Sequence, residues 1–315
     1  MASALPVGQS SGAAAAAAMA AQHGVDWDPF AGSVDWTEQS CSSHATKRAL
    51  RDLQALYKNP PAGVFVQHEE SNVTKIHALI VGPFDTPYEG GFFHFIVRVT
   101  DQYPFRPPKV KLLTTGGGRV RFNPNLYADG KVCLSILGTW TGPGWAASLT
   151  LETVLISIQS LMNEKPYHNE PGFEKERQAG ASERYNDIIQ HETIRVAVCD
   201  MLEGATAASP VALPDTFVKV MQGAFPQYYE SYLASLNRLI DKGLQGRPMA
   251  DPFGNSRRGT FDPVGLKQRL EVLKGRLVED EDATQASSES NARLHSESTQ
   301  EEEDGVPSSP KKQKL

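Results

Sequence analysis

Residues 82–115 read GPFDTPYEGGFFHFIVRVTDQYPFRPPKVKLLTT, and this run decides the fold. Pro83, Pro87, Gly90 and Gly91 punctuate its first third as turn residues. Gly91–Thr100 then gives an aromatic and β-branched run with partial alternation, which predicts a strand. Pro104, Pro107 and Pro108 have no N–H to give a sheet ladder, so 104–108 must be an edge or loop with Phe105 turned outward. Lys109–Leu113 is short and apolar enough for one more strand.

Working outward, Gly63–Gln67 and Thr74–Val81 show the same strand chemistry. Four strands in succession, with no helix between them, predict an antiparallel meander with helices gathered to one side, the α+β class. A helix is expected over Ala45–Tyr57, where Ala49, Leu53 and Leu56 recur at helical spacing before Asn59-Pro60-Pro61 stops it. Lys47, Arg48 and Arg51 fall together away from that stripe. A second helix from Leu151, capped by Ser148 or Thr150, buries Val154, Leu155, Ile158 and Leu161. A third covers roughly Glu183–Leu202, with Cys199 among its packing residues. Two more, Thr216–Lys242 and Gly265–Val278, are rich in aromatic residues and leucine.

The segments therefore divide into an irregular arm over 1–44, a core domain over 45–203, a helical extension over 204–278 expected to dock on the core, and an acidic tail over 279–315. The alanine tract Ala13–Ala18 reads as low complexity and is too short to span a bilayer, while Trp27, Phe30 and Trp36 are expected to pack as an irregular arm. A basic tail end, Pro310–Lys314, resembles an import signal only faintly. With a net charge of −6 and no basic stripe, nucleic acid is a poor partner, and no membrane partner is expected. Cys41, Cys133 and Cys199 form neither a disulfide framework nor a metal-ligand spacing, so no metal is expected and a reducing compartment fits.

The chemistry is expected in residues 122–145, FNPNLYADGKVCLSILGTWTGPGW. Asn123-Pro124-Asn125 makes an extended turn whose amides can bond the backbone, and Cys133 follows Asn125 by eight residues. A free cysteine among Val132, Leu134, Ile136 and Leu137 is by default a small buried hydrophobe. A thiol near a preorganised amide is also the apparatus for accepting an acyl group, with Cys133 as nucleophile and Asn125 donating to the oxyanion. No G-x-x-x-x-G-K-[ST] run is present to activate a carboxylate with ATP, and no histidine sits in a protease signature beside the cysteine.

Together these motifs resemble the ubiquitin-conjugating enzyme family over roughly Ala45–Leu202. The matching features are Gly-Pro-x-x-x-Pro-Tyr-x-Gly-Gly from Gly82, Tyr-Pro-Phe-x-Pro-Pro-Lys-Val from Tyr103, and the Pro-Asn turn eight residues before Cys133 with Leu-x-Ile-Leu after it. The resemblance implies an α+β ubiquitin-conjugating fold in which Cys133 receives ubiquitin as a thioester from an activating enzyme and passes it to lysine, usually with a ligase. It implies that Asn125 stabilises the oxyanion, that Lys47, Arg48 and Arg51 dock the activating enzyme and overlap the ligase site, and that Phe105 meets RING-type ligases. Asn123 stands where the family has histidine, and Ser135 where many members have aspartate. The acidic gate falls on Glu170, or on Asn169 if the alignment slips by one. Ala146-Ala147-Ser148 replaces the usual Ser-Pro-Ala of the ligase surface.

HNEPGFEKER, GTWTGPGW and the long extension resemble a branch of the family that also handles a modifier made of two fused ubiquitin-like domains. No cofactor is implied for this chain, since ATP is consumed by the activating enzyme, and the resemblance places the protein in cytoplasm and nucleus. The competing class is a catalytically inactive scaffold or ubiquitin-binding module. Retention of both Asn125 and Cys133 favours the enzyme.

Overall fold

The computed structural model describes residues 41–204, 212–253 and 259–279. The chain divides into two compact units, Met1–Arg269 and Leu270–Leu315. The amino-terminal arm up to residue 40 and the tail from residue 280 lie outside the described residues.

Helix α1 spans Ser43–Lys58, two residues longer at its start than its apolar spacing predicts, because the Ser42 hydroxyl caps it by accepting from Ala45 N at 3.3 Å. Its stripe Ala45, Ala49, Leu53 and Leu56 is buried in the core. Asp52 is buried on the same face. Its carboxylate accepts from Arg48 Nε at 2.8 Å, from the Tyr103 hydroxyl and from Leu151 N at 3.3 Å. Leu151 opens helix α2, Leu151–Leu161, so a carboxylate from α1 sits at the positive end of α2. Thr150 is the cap of α2, and it forms a reciprocal capping box with Thr153.

The sheet is a four-stranded antiparallel meander in the order β1 Val64–Glu69, β2 Asn72–Val81, β3 Phe92–Arg98 and β4 Lys109–Leu112. All seven residues of β3 are buried, which explains why it reads FFHFIVR without clean alternation. Phe93, Phe95 and Val97 face the main core. The other face is also covered: His94 meets the Phe217 ring edge-on at 6.1 Å, and Thr114, whose hydroxyl accepts from His94 N, reaches Met201. Burial pushes the pKa of His77 down and that of His94 down to about 3, so this stacked pair, 3.0 Å apart between ring nitrogens, packs as neutral imidazoles.

The third helix runs as expected to residue 202, as α3, Ala181–Glu192, then a π-helix over Thr193–Asp200 and a short α-helical return at 201–202. Thr193, Ile194, Val196, Ala197, Val198 and Cys199 are all buried there, so the segment is enclosed on more than one side and shows no single apolar stripe.

Helix α4, Asp215–Asp241, buries Phe217, Met221, Phe225, Tyr229, Tyr232, Leu236 and Leu239 at three- and four-residue steps. Its Tyr232 hydroxyl donates to Gly90 O at 2.8 Å, Ser231 bonds Glu89, and Lys242 just beyond it bonds Glu183 and Asp187. Gly90 lies at φ +69°, and a Cβ there would stand 2.6 Å from the Tyr232 hydroxyl, so glycine is what lets the helix approach the hairpin. Replacing Tyr232 by phenylalanine should cost about 1–3 kcal/mol, because a buried carbonyl loses its donor. Urea unfolding checks this, and an unchanged midpoint would mean that water replaces the hydroxyl. A further helix covers 263–279, with its residues from Leu270 onward in the second unit.

Candidate active site

The loop that carries Cys133 is held from below by Asn123, which is fully buried. Asn123 Nδ2 donates to the Tyr88 hydroxyl at 2.9 Å and to Leu161 O at 2.8 Å. Its Oδ1 accepts from Asn125 N at 2.9 Å and from Asn169 Nδ2 at 3.3 Å. The loop then folds on itself: Cys133 N donates to Asn125 O at 2.9 Å, and Asn125 Nδ2 donates to Cys133 O at 3.0 Å. The asparagine and the cysteine, eight residues apart in sequence, are therefore paired in both directions. An amide nitrogen carries two hydrogens, and one of those on Asn125 is committed to this bond.

Cys133 is 1% exposed, and burial pushes its thiol up to about 11 despite Lys131, Arg121 and a hydrogen bond from Tyr127. At neutral pH the sulfur is a protonated thiol, a weak nucleophile until it loses its proton. Cys199 is likewise raised to about 12 by burial and packs in the π-helix. Ser135 opens the short 3-10 turn Ser135–Leu137, beside Gly142, whose missing side chain leaves room for it.

The two gate candidates differ in their bonding. Asn169 spends its amide on the scaffold, with Nδ2 on Leu161 O at 3.0 Å and Oδ1 accepting from Asn163 Nδ2 at 2.8 Å. Glu170 is half-buried and stands 3.7 Å from Arg121. Burial raises its carboxyl above the ordinary value, with Arg121 and Arg177 pulling it back.

The docking candidates also diverge. Lys47 and Arg51 are exposed on α1. Arg48 is not part of that open face: its guanidinium donates to Asp52, to Ala147 O at 2.8 Å and to Leu149 O at 2.7 Å. It staples α1 to the segment leading into α2. Phe105 is 72% exposed and stacks on His44 at 5.9 Å, and the neighbouring Pro104 carbonyl accepts from Trp145 Nε1 at 2.6 Å.

Two residues near the thiol were not singled out from sequence. Tyr127 lowers the pKa of the Cys133 thiol against the effect of burial, and the Arg121 guanidinium lies 3.9 Å from the centre of the Tyr127 ring. The available signal was local: a cation two residues before the Asn-Pro-Asn turn and an aromatic two residues after it. Among the described residues no helix is long and apolar enough to cross a membrane.

A four-stranded meander with flanking helices, and a cysteine paired to an asparagine in a buried loop, define a ubiquitin-conjugating domain; residues 48–193 match the ubiquitin-conjugating enzyme family, and the chain belongs to it. Its relatives include ubiquitin-conjugating enzyme E2 Z of Danio rerio, 52% identical over 276 residues that cover 87% of this chain and 81% of the relative. The E2 Z of Xenopus tropicalis is 54% identical over 80% of this chain and 78% of its own length. For the Homo sapiens E2 Z the identity is 49%, over 90% of this chain and 75% of the relative. The chain is thus a ubiquitin-conjugating enzyme, a transferase of the ubiquitination pathway that works with ubiquitin, an activating enzyme and ligases.

Proposed function

We propose that this chain takes ubiquitin, or a two-domain ubiquitin-like modifier, from an activating enzyme as a thioester on Cys133 and transfers it to substrate lysines. The observation that carries this is the two-way pairing of Asn125 and Cys133. In the first step Cys133 Sγ loses its proton and attacks the carbonyl carbon of the incoming thioester. The activating enzyme's thiolate leaves and recovers a proton. In the second step a neutral lysine amine attacks the Cys133 thioester, the oxyanion forms within reach of the Asn125 amide, and Cys133 departs as a thiol with the amine's proton. Lys47, Arg51 and Phe105 are the exposed groups offered to the activating enzyme and ligase.

The two-domain modifier rests on the resemblance of HNEPGFEKER, GTWTGPGW and the long extension to the branch that handles one. We place the protein in cytoplasm and nucleus, with ATP consumed by its activating enzyme. Incubating the purified chain with ATP and a panel of activating enzymes, each with ubiquitin or a two-domain modifier, should give adducts of both modifiers that thiol reductant removes. If no pair charges the chain, the inactive scaffold takes the place of this reading.

A further inference from the structure

Arg121 makes more connections near the thiol than any role in binding modifier requires. Nη1 donates to Phe253 O at 2.8 Å, Nη2 to Pro124 O at 2.5 Å and Nε to Asn123 O at 3.3 Å. Guanidinium donors lie in one plane, so three carbonyls fix that plane. The same group stacks 3.9 Å from the Tyr127 ring centre and stands 3.7 Å from Glu170 Oε2. Tyr127 in turn is coupled to the Cys133 thiol and helps to hold its pKa down against burial. Hence one cation stands against both Tyr127 and Glu170 and is bonded to the Asn-Pro-Asn turn that carries Asn125.

That cation is anchored from the extension. Phe253 sits with ring centroids 5.0 Å from Phe173, 5.0 Å from Tyr185 and 5.5 Å from Tyr167. Its own N–H is held by Asp251 Oδ1 at 2.9 Å. Four packed aromatic rings leave the Phe253 carbonyl little freedom.

We propose that Arg121 is a positioning residue for the lysine-transfer step, and that the Phe253 loop of the extension sets its place. This rests on the Cys133 thioester reading. Arg121 touches neither modifier nor lysine; it acts by holding Tyr127 and Glu170. The groups facing the Glu170 carboxylate are Arg121, Arg177 and Tyr127. Removing the Arg121 cation leaves burial to raise Glu170 further, so the carboxylate forms only at higher pH.

The test uses full-length chain, charged with ubiquitin and chased with free lysine from mildly acidic through alkaline pH. Arg121→Gln should charge within about twofold of wild type yet discharge about 10-fold to 100-fold slower, with the acidic limb of discharge moved to higher pH. Arg121→Lys should restore the limb but not the plateau rate, because an ammonium supplies charge without the planar fork. Phe253→Ala, with Phe253→Leu as a variant that keeps the box filled, should slow discharge without moving the limb. Combined with Arg121→Gln it should add nothing, since both act through one path. Equal loss of charging and discharge, an unmoved limb in Arg121→Gln, or additive effects of the two sites would overturn the proposal. Failure of the wild-type chain to charge would instead strike the thioester reading.

Discussion

Cys133→Ala should abolish the reductant-sensitive ubiquitin adduct completely, while Cys133→Ser should trap an ester that survives thiol and yields to hydroxide. An oxygen ester is a poorer acyl donor to amines than a thioester, so the serine variant should charge slowly and transfer hardly at all. Cys133 packs in the core with 1% exposure, so removing its sulfur also leaves a small void; cutting back one small buried group costs about 1 kcal/mol, too little to unfold the domain. Non-reducing electrophoresis after charging, with melting as control, makes the check. A reducible band of full intensity in Cys133→Ala would transfer the carrier role to Cys41 or Cys199. Of these Cys199 is buried in the π-helix, and the Cys41 sulfur donates to Val99 O.

Asn125→Ala should separate the two half-reactions. Loss of one preorganised oxyanion donor typically costs about 100-fold to 1000-fold, and that cost should fall on discharge to lysine. Charging should lose only a few fold, because the incoming thioester is already activated. The structure adds a second expectation. The Asn125 amide also bonds Cys133 O, so alanine loosens the loop and should lower the unfolding midpoint by the worth of about one hydrogen bond, 0.5–1.5 kcal/mol. Asn125→Gln, which keeps a donor on a longer arm, should recover stability better than rate. Single-turnover discharge of preformed thioester measures it, and equal loss in charging and discharge at unchanged melting would point to modifier binding.

How far the sequence alone led is plain from particular residues. The strands came within two residues of their observed bounds because Gly63, Pro83, Gly90 and the three prolines after Tyr103 punctuate them locally. Helix α4 was equally legible from its stripe, found at Asp215–Asp241 against an expected 216–242. That Asn125 lies beside Cys133 is legible in their spacing, while the two bonds that pair them show only in the fold. What stayed hidden depends on partners far along the chain. Arg48 looked like a surface cation because its acceptors, Ala147 O and Leu149 O, lie 99 and 101 residues away. Arg121 was passed over because its anchor, Phe253, is 132 residues distant. Asn169 and Glu170 are adjacent, so no spacing rule separates them, and their different partners, the Asn123 amide for one and Arg121 for the other, lie far along the chain.

The bonding of Asn123 bears on how the catalytic loop opens. Its amide joins the hairpin through Tyr88, the end of α2 through Leu161, the turn after α2 through Asn169 and the loop itself through Asn125. A neutral histidine, with one donor and one acceptor, could satisfy at most two of these four links. Breaking one frees a hydrogen-bonding position on the fully buried Asn123 amide, which weakens the network it holds together. The four segments should then exchange their amide hydrogens as one cooperative unit, with a shared opening free energy rather than four local ones.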